Sequence, residues 1–200
     1  MAEVSGRDAA TTTVDGLARL LAGRRRITVL GTPGGGKSTL ARALAARLDL
    51  ACHHVDDHFW QAGWRPAGAD ELAARIAALA AGERWLIEGN HVATVADRAR
   101  RADAVVILDV AWPVSLTRIS RRSLAARCGR PTLLPDRVRG EREPWRARLL
   151  VCRAAVRFRR RTLPDLLDIL DRQLAVGVPV LHLRRSVARQ RASAVLTEAR

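Results

Sequence analysis

The stretch Gly31-Thr-Pro-Gly-Gly-Gly-Lys37-Ser38-Thr39 decides the fold, because it matches the phosphate-binding pattern G-x-x-x-x-G-K-[ST] in full. Lys37 is also the only lysine in a chain that carries 35 basic residues. A compact ammonium group fits between phosphate oxygens inside a narrow loop, whereas a planar guanidinium is too broad. The stretch therefore predicts that the chain binds a nucleoside triphosphate.

The residues around this stretch predict the strand, loop and helix that such a loop requires. The apolar run 27–30 predicts a buried strand, and leucines at helical spacing predict a helix over 37–48. Glycines let successive backbone N–H groups point inward as an anion nest, and the helix N-terminus adds a positive end. Lys37 is then predicted to contact the β- and γ-phosphates of ATP, and Ser38 to ligate Mg²⁺. The predicted ATP-binding residues of this loop are Gly31, Thr32, Pro33, Gly34, Gly35, Gly36, Lys37, Ser38 and Thr39.

Further strands and helices alternate along the chain. Strands are predicted over 51–56, 85–88, 104–110 and 178–183; helices are predicted over 13–22, 70–81, 91–101, 113–127 and 145–175, the last interrupted at Pro164, with Ser186 capping a final helix. Such alternation requires crossover connections and hence a parallel sheet with helices on both faces. We therefore predict one α/β domain over 1–200, with a disordered start at 1–12 and a lid-like excursion over 128–144.

Composition bears on location and on cysteine chemistry. No run of 18 or more apolar residues occurs, and the N-terminus lacks a charged segment followed by an apolar core. We expect a cytoplasmic protein without membrane contact. Cys52, Cys128 and Cys152 are isolated, which is typical of reduced intracellular thiols. Nothing in the sequence indicates the oligomeric state.

The net charge of +15 is concentrated in the second half of the chain. Between Arg118 and Arg161 there are 15 arginines and three acidic residues, a net charge of +12. Such a segment can bind nucleic acid, or it can surround a polyphosphate with forked hydrogen-bond donors.

Beyond the loop, the order of several blocks resembles the adenylate-kinase-like P-loop kinases, and within them the bacterial topology modulation (FlaR-like) group. The blocks are His54-Val-Asp-Asp-His-Phe-Trp60 with Trp64, Trp85-Leu-Ile-Glu-Gly-Asn90, and Arg118 with Arg122. The resemblance spans about residues 27–183. It implies a three-layer P-loop NTPase fold with a five-stranded parallel sheet, a small arginine-rich lid, and phosphoryl transfer from Mg-ATP to a small acceptor. The Asp-Gly-Phe-Pro-Arg signature of adenylate kinases proper is absent.

Carboxylates at predicted strand ends are the candidates for the acceptor half of the site. Asp56 ends the second strand, at the edge where open α/β sheets bind ligands, and is predicted to orient or deprotonate the acceptor. A cap of a helix or turn is the alternative role for Asp56. The resemblance places Glu88 and Gly89 beside the acceptor, with Glu88 holding a magnesium-bound water. Glu88 as a cap, or Asp109 as the magnesium carboxylate, are the alternatives. Asp57 is predicted to point to the opposite side of the strand.

Two arginines and two tryptophans complete the predicted site. Arg118 and Arg122 are four residues apart and share a helix face. The resemblance implies that one covers the adenine and the other contacts phosphates, so we assign Arg118 to ATP binding and Arg122 to catalysis. A solvated basic face is the alternative. Trp60 is predicted to contact the acceptor and Trp64 to extend an aromatic wall, although core packing explains both equally well.

A metal site is a further hypothesis for the second strand. Cys52, His54 and Asp56 alternate onto one face of the predicted strand. A closed zinc site needs a second cluster of ligands, and the sequence lacks one. Packing or acceptor contact is therefore the preferred interpretation of His54.

Together these observations favour an ATP-dependent small-molecule kinase whose acceptor is a nucleoside, a nucleotide or another metabolite. One alternative is a nucleotide-regulated nucleic-acid-binding protein that uses the basic segment 118–161. Another is an ATPase whose acceptor is water. No helix-turn-helix or RNA-binding aromatic motif supports the nucleic-acid hypothesis.

Overall fold

The computed structural model describes residues 13–128 and 143–185, together with residues 135, 138 and 141. The predictions for residues 1–12 and for a helix after Ser186 lie outside the described residues. Most of the excursion predicted over 128–144 lies outside them too.

Parallel strands form the centre of the molecule. The described strands are β1 (Arg26–Gly31), β2 (Ala51–His54), β3 (Trp60–Gln61), β4 (Arg65–Pro66), β5 (Trp85–Glu88), β6 (Ala104–Val110) and β7 (Val180–Arg185). Five of them form one sheet in the order β2–β5–β1–β6–β7, and every neighbouring pair in it is parallel. Strands β3 and β4 form a separate antiparallel hairpin.

Helices connect the strands. The described helices are α1 (Val14–Leu20), α2 (Lys37–Leu48), α3 (Val55–Phe59), α4 (Ala69–Ala80), α5 (Val92–Arg101), α6 (Trp112–Arg127), α7 (Trp145–Arg157) and α8 (Leu163–Gln173). A π-helical turn, Phe158–Thr162, joins α7 to α8. The helix predicted over 145–175 therefore has its interruption directly before Pro164, which lies in the first turn of α8.

Strand β6 shows why helices cover both faces of the sheet. All seven of its residues are buried, because alternate side chains point to opposite faces. Val105 and Ile107 belong to a core with α4, α5 and α8, whereas Val106 and Leu108 belong to a core with α1 and α2. The predicted α/β fold with a five-stranded parallel sheet and helices on both faces is confirmed.

The second predicted strand is two residues too long. His54 pairs with Glu88, the last residue of β5, so the edge strand β2 has no partner beyond that point. Val55 instead begins α3 and packs on Gly89, where an added Cβ would lie 2.6 Å from the Cβ of Val55. Asp56 therefore lies in the first turn of α3 rather than in a strand. Asp57 follows it on the same helix, so its predicted position on the far side of a strand is wrong.

The tryptophan-bearing stretch between β2 and α4 contains α3 and the β3–β4 hairpin. At the hairpin turn both Gly63 and Trp64 have positive φ angles, of 74° and 55°. Helix α4, predicted over 70–81, begins with Gly68 as its N-cap, and Asp70 lies in its first turn. Within the described part of the chain, no helix has both the length and the apolar character that a bilayer span requires.

Candidate functional site

The predicted phosphate-binding loop lies at the centre of the sheet. Strand β1 lies between β5 and β6. The chain runs from β1 to β2 at one edge of the sheet and from β6 to β7 at the other edge. Open α/β sheets bind ligands at such a point, beyond the carboxyl ends of the strands. The loop ends at Gly36, whose left-handed backbone (φ 99°) is the N-cap of α2, and Lys37 is the first helical residue.

Steric contacts explain three glycines of the loop. A Cβ on Gly31 would lie 2.2 Å from the backbone oxygen of Leu108, and one on Gly34 would lie 2.6 Å from the Ile119 side chain. A Cβ on Gly35 would lie 2.8 Å from the Thr32 carbonyl oxygen. Gly31 thus allows β1 and β6 to approach each other, a role that the phosphate-nest interpretation did not include.

Polar side chains fix the start of the loop to both neighbouring strands. Thr32 Oγ1 donates to the Val110 carbonyl and accepts from the Val110 N–H, both at 3.1 Å, on the β6 side. On the β5 side, Asn90 Oδ1 accepts from the Gly31 N–H at 2.9 Å, and Asn90 Nδ2 donates to the Gly31 carbonyl at 2.5 Å. We did not predict this role for Asn90; its position directly after Glu-Gly at the end of a central strand was the available signal.

Glu88 is the centre of the polar network below the loop. One carboxylate oxygen, Oε2, accepts from Ser38 Oγ and contacts His54 Nδ1, both at 2.8 Å. The other, Oε1, lies 4.0 Å from Lys37 Nζ, which donates to the Thr32 carbonyl. Burial alone would raise the pKa of Glu88, but the His54 hydrogen bond and the Lys37 charge outweigh it and hold the pKa below its usual value. Glu88 is therefore a buried, ionised carboxylate.

His54 supports that ionised state. Its contacts with Cys52 and Glu88 raise its pKa to about 10. Arg42 Nε, 3.1 Å from His54 Nε2, would instead favour the neutral ring, since it donates to that nitrogen. Arg42 is exposed and free to turn into solvent, whereas Glu88 is buried, so the charged form of His54 prevails. We did not predict the contact between His54 and Glu88. The signal for it was that both residues lie near the ends of predicted strands of a parallel sheet.

Asp56 has the opposite electrostatic environment from Glu88. Desolvation and the negative charge of Glu88 raise the pKa of Asp56, although Lys37 and Arg122 act against this. The residue is exposed to the cavity, so water tempers the effect until a ligand displaces it. Two carboxylates of one site, Asp56 and Glu88, thus have pKa values shifted in opposite directions.

The residues beside the loop fit a magnesium ion. Ser38 Oγ and the Glu88 carboxylate are adjacent oxygen donors, and Mg²⁺ in such sites commonly takes one or two protein oxygens together with phosphates and water. Asp109 pairs with Arg159 Nε at 2.8 Å and lies 3.8 Å from His182 Nε2, and it does not line the cavity. Among the described residues, no group of three His, Cys, Asp or Glu side chains is placed to hold a metal.

A cavity of about 800 Å³ brings most of the predicted site residues together. Its lining includes Pro33, Gly34, Gly36, Lys37, Ser38, Thr39, Asp56, Trp60, Glu88, Gly89, Arg118 and Arg122. Gly31, Thr32 and Gly35 are buried behind this surface and do not line it. Trp64 and Asp57 line it as well.

The two predicted arginines approach the cavity from α6. Arg118 Nη1 donates to the Gly35 carbonyl at 2.8 Å, so it contacts the phosphate loop directly. Arg122 Nη2 lies 4.0 Å from Glu143 Oε1, and its buried Nε has no hydrogen-bond partner among the described residues. Glu143 also accepts from Ser123 Oγ at 2.7 Å.

Comparison with solved structures finds similar chains among kinases. The chain is similar to shikimate kinase from Acinetobacter baumannii in complex with shikimate, with 17% identity and a TM-score of 0.49 over 91% of this chain and 96% of that chain. It is also similar to shikimate kinase from Bacteroides thetaiotaomicron, with 15% identity and a TM-score of 0.49 over 88% and 99% of the two chains. An unliganded sugar kinase from Janibacter sp. HTCC2649 has 19% identity and a TM-score of 0.42 over 86% and 92%. No protein-family model and no curated protein matches the chain.

Proposed function

We propose that this chain is a Mg-ATP-dependent phosphotransferase that moves the γ-phosphoryl group of ATP to a small acceptor. The observation that carries the proposal is the pair of carboxylates in one cavity with Lys37 and Ser38. The pKa of Glu88 is held low and the pKa of Asp56 is raised. Carboxylates whose pKa values are driven apart are typical of sites where one stays charged and the other exchanges a proton.

Each residue then has a separate task. The loop N–H groups and Lys37 bind the phosphates of ATP, and Arg118 holds the loop from the α6 side. Ser38 and Glu88 would hold Mg²⁺, which when bound neutralises charge on the phosphate oxygens. Asp56 accepts the proton of the attacking acceptor group, and Arg122 offsets the negative charge that gathers during transfer.

A small acceptor fits the cavity better than water alone. The volume of about 800 Å³ lies in the range of sites for small ligands and exceeds what a hydrolytic water needs. Part of its lining is aromatic or aliphatic, including Phe59, Trp60, Trp64 and Leu150. Such a lining excludes water from the transfer step, which protects ATP from wasteful hydrolysis.

The proposal also covers the family, the location in the cell and a lid. We propose that the chain belongs among the adenylate-kinase-like P-loop kinases near the FlaR-like group, and that it acts in the cytoplasm. We also propose that the arginine-rich segment closes over the site as a lid. The order of the motifs supports the first part, and the position of Arg118 and Arg122 on the cavity wall supports the last.

The test is transfer of radiolabelled γ-phosphate from ATP to a panel of nucleosides, nucleotides, sugars and other hydroxyl compounds. We expect a labelled organic product with at least one acceptor, formed only when Mg²⁺ is present. If the label appears only as inorganic phosphate, at one rate with or without every acceptor, the chain is an ATPase and the proposal is wrong.

A further inference from the structure

The acceptor half of the cavity contains a continuous row of four rings. The centroids of His91 and Phe59 are 5.5 Å apart, those of Phe59 and Trp60 are 4.8 Å apart, and those of Trp60 and Trp64 are 5.4 Å apart. All four residues line the cavity together with Asp56. Phe59 also packs against the core, but all four rings border the open space of the cavity.

Trp64 is held in this row at a cost to the free protein. Its φ of 55° is a left-handed backbone conformation that side chains other than glycine, asparagine and aspartate seldom adopt. Its buried indole nitrogen also has no hydrogen-bond partner among the described residues. A residue that combines two such costs and lines a cavity is a candidate for ligand contact.

Helix α7 supplies a second apolar wall. Ala147, Leu150, Val151 and Ala154 recur at helical spacing and all line the cavity. Leu150 is 59% exposed, so its side chain is not packed inside the core. The stripe has one alanine at each end, and these small side chains leave room for a flat ligand.

Among the described residues, the aromatic side of the cavity carries no arginine or lysine. The lining stretch 54–66 contributes Asp56 and Asp57 but no arginine, and the lining stretch 88–91 contributes Glu88. The charged ring of His54 also lines this side, and its Nδ1 is paired with the Glu88 carboxylate. Burial and the Arg98 charge lower the pKa of His91, which keeps that ring neutral. The lining arginines come from α2, α6 and α7 instead. An anionic substituent beside the tryptophans would therefore lie on the side that supplies Asp56 and Asp57, where Arg122 is already engaged electrostatically with Asp56.

We propose that the acceptor carries a flat ring, neutral or positively charged, and a hydroxyl group that lies beside Asp56. The ring stacks on one of the two indoles of Trp60 and Trp64 and meets the other with its edge, since the two indole planes are 61° apart. Nucleosides and hydroxymethyl heteroaromatic compounds have this chemistry, whereas ringless polyols and nucleoside monophosphates do not. This inference rests on the proposed function. In the transfer step the hydroxyl oxygen bonds to the γ-phosphorus of ATP, the bond from that phosphorus to the β–γ bridging oxygen breaks, and ADP leaves with the electron pair. The hydroxyl proton passes to the Asp56 carboxylate.

Binding tests the ring assignment separately from transfer. The full chain is saturated with Mg²⁺ and a non-hydrolysable ATP analogue, so that the donor site is filled. Calorimetry then measures the affinity for four common nucleosides and pyridoxine, for ribose as the ringless match, and for the four nucleoside 5′-monophosphates as the anionic match. We expect at least one neutral ring compound to bind about tenfold or more tightly than ribose and than the monophosphates. Equal or tighter binding of ribose or the monophosphates, or no binding of any ring compound, overturns the inference.

Variants at position 64 separate the ring from the backbone. Trp64→Gly removes the ring but suits the left-handed backbone, so the hairpin should stay folded while ring affinity falls about tenfold. Trp64→Phe keeps a ring and should restore most of the affinity. Trp112→Ala is the control, since Trp112 is exposed and does not line the cavity. Unchanged affinity in Trp64→Gly contradicts the inference. Ring binding without any labelled product would contradict the proposed function and leave the ring assignment standing.

Discussion

Lys37 combines two roles that the sequence and the structure identify separately. The motif predicts contact with phosphates, and the structure places the ammonium group 4.0 Å from the buried Glu88 carboxylate. Lys37→Ala removes a charged donor, so the affinity for ATP should fall about 10- to 150-fold. Fluorescence titration with a labelled ATP analogue measures this.

Arg47→Ala on the same helix is the control for Lys37. Arg47 is exposed, pairs with Asp15 and does not line the cavity, so its loss should leave ATP affinity unchanged. Unchanged affinity in Lys37→Ala would remove the loop from nucleotide binding.

Asp56→Asn should separate activity from stability. As the proton acceptor, Asp56 should contribute about 100-fold or more to kcat, while ATP affinity should not change. Its folded-state pKa is raised above the ordinary 3.8, so its stabilising contribution exists at low pH and is lost as the pH rises through the raised value. At pH 7 the charged form costs stability, and the Asn variant should be at least as stable as the wild type.

Steady-state kinetics and urea unfolding at pH 7 measure both effects of Asp56→Asn. Asp57→Asn is the matched variant, because Asp57 is the next residue of α3 and lines the same cavity. We expect a smaller loss of kcat for it. Full activity in Asp56→Asn, or an equal loss in Asp57→Asn, would contradict the role assigned to Asp56.

At the scale of single residues, the sequence predicted which side chains meet but not how they are held. Lys37, Ser38, Glu88 and Asp56 were all predicted and all line one cavity. The ties from Asn90 to Gly31 depend on side-chain geometry across two strands, which no local pattern encodes. The choice between the alternatives for Glu88 also needed the three-dimensional structure. The same local sequence is compatible with a buried carboxylate and with a capping carboxylate.

At the scale of elements, the end of β2 depends on its neighbour rather than on its own residues. A strand was predicted from Ala51 to Asp56, whereas the partner strand β5 ends at Glu88 and leaves nothing to pair with Val55. Strand length is set by pairing, which is a long-range property. This shift matters for function, since it places Asp56 on a helix turn that faces the cavity.

The approach of β1 to β6 gives a prediction at the same scale. A Cβ on Gly31 would lie 2.2 Å from a backbone oxygen that cannot move aside, and φ is 140°. Gly31→Ala should therefore destabilise the fold by about 3 kcal/mol or more. Gly177→Ala is the control: its φ is 86° but nothing lies within 4 Å, so only backbone strain of about 1 kcal/mol applies. Chemical denaturation of both variants measures the difference, and equal values would refute the close approach.

At the scale of the whole molecule, the net charge of +15 admits two explanations that salt can separate. Binding of nucleic acid by exposed arginines releases counterions, so it should weaken more than about tenfold between roughly 50 and 200 mM salt. Phosphoryl transfer uses contacts of a few ångströms inside the cavity, and these are screened far less. We expect labelled product at a salt concentration where a 20-base RNA no longer binds.

Two exposed arginines outside the cavity make this prediction sharper. Arg160 and Arg161 lie in the π-helical turn between α7 and α8 and do not line the cavity. The double variant R160Q/R161Q should weaken RNA binding and reduce its salt dependence, because fewer phosphates are neutralised, while kcat/KM for transfer stays unchanged. Filter binding across a salt series and the transfer assay measure the two quantities. RNA that competes with ATP, or that stays bound at 200 mM salt while no acceptor is phosphorylated, would instead favour a nucleotide-regulated nucleic-acid-binding protein.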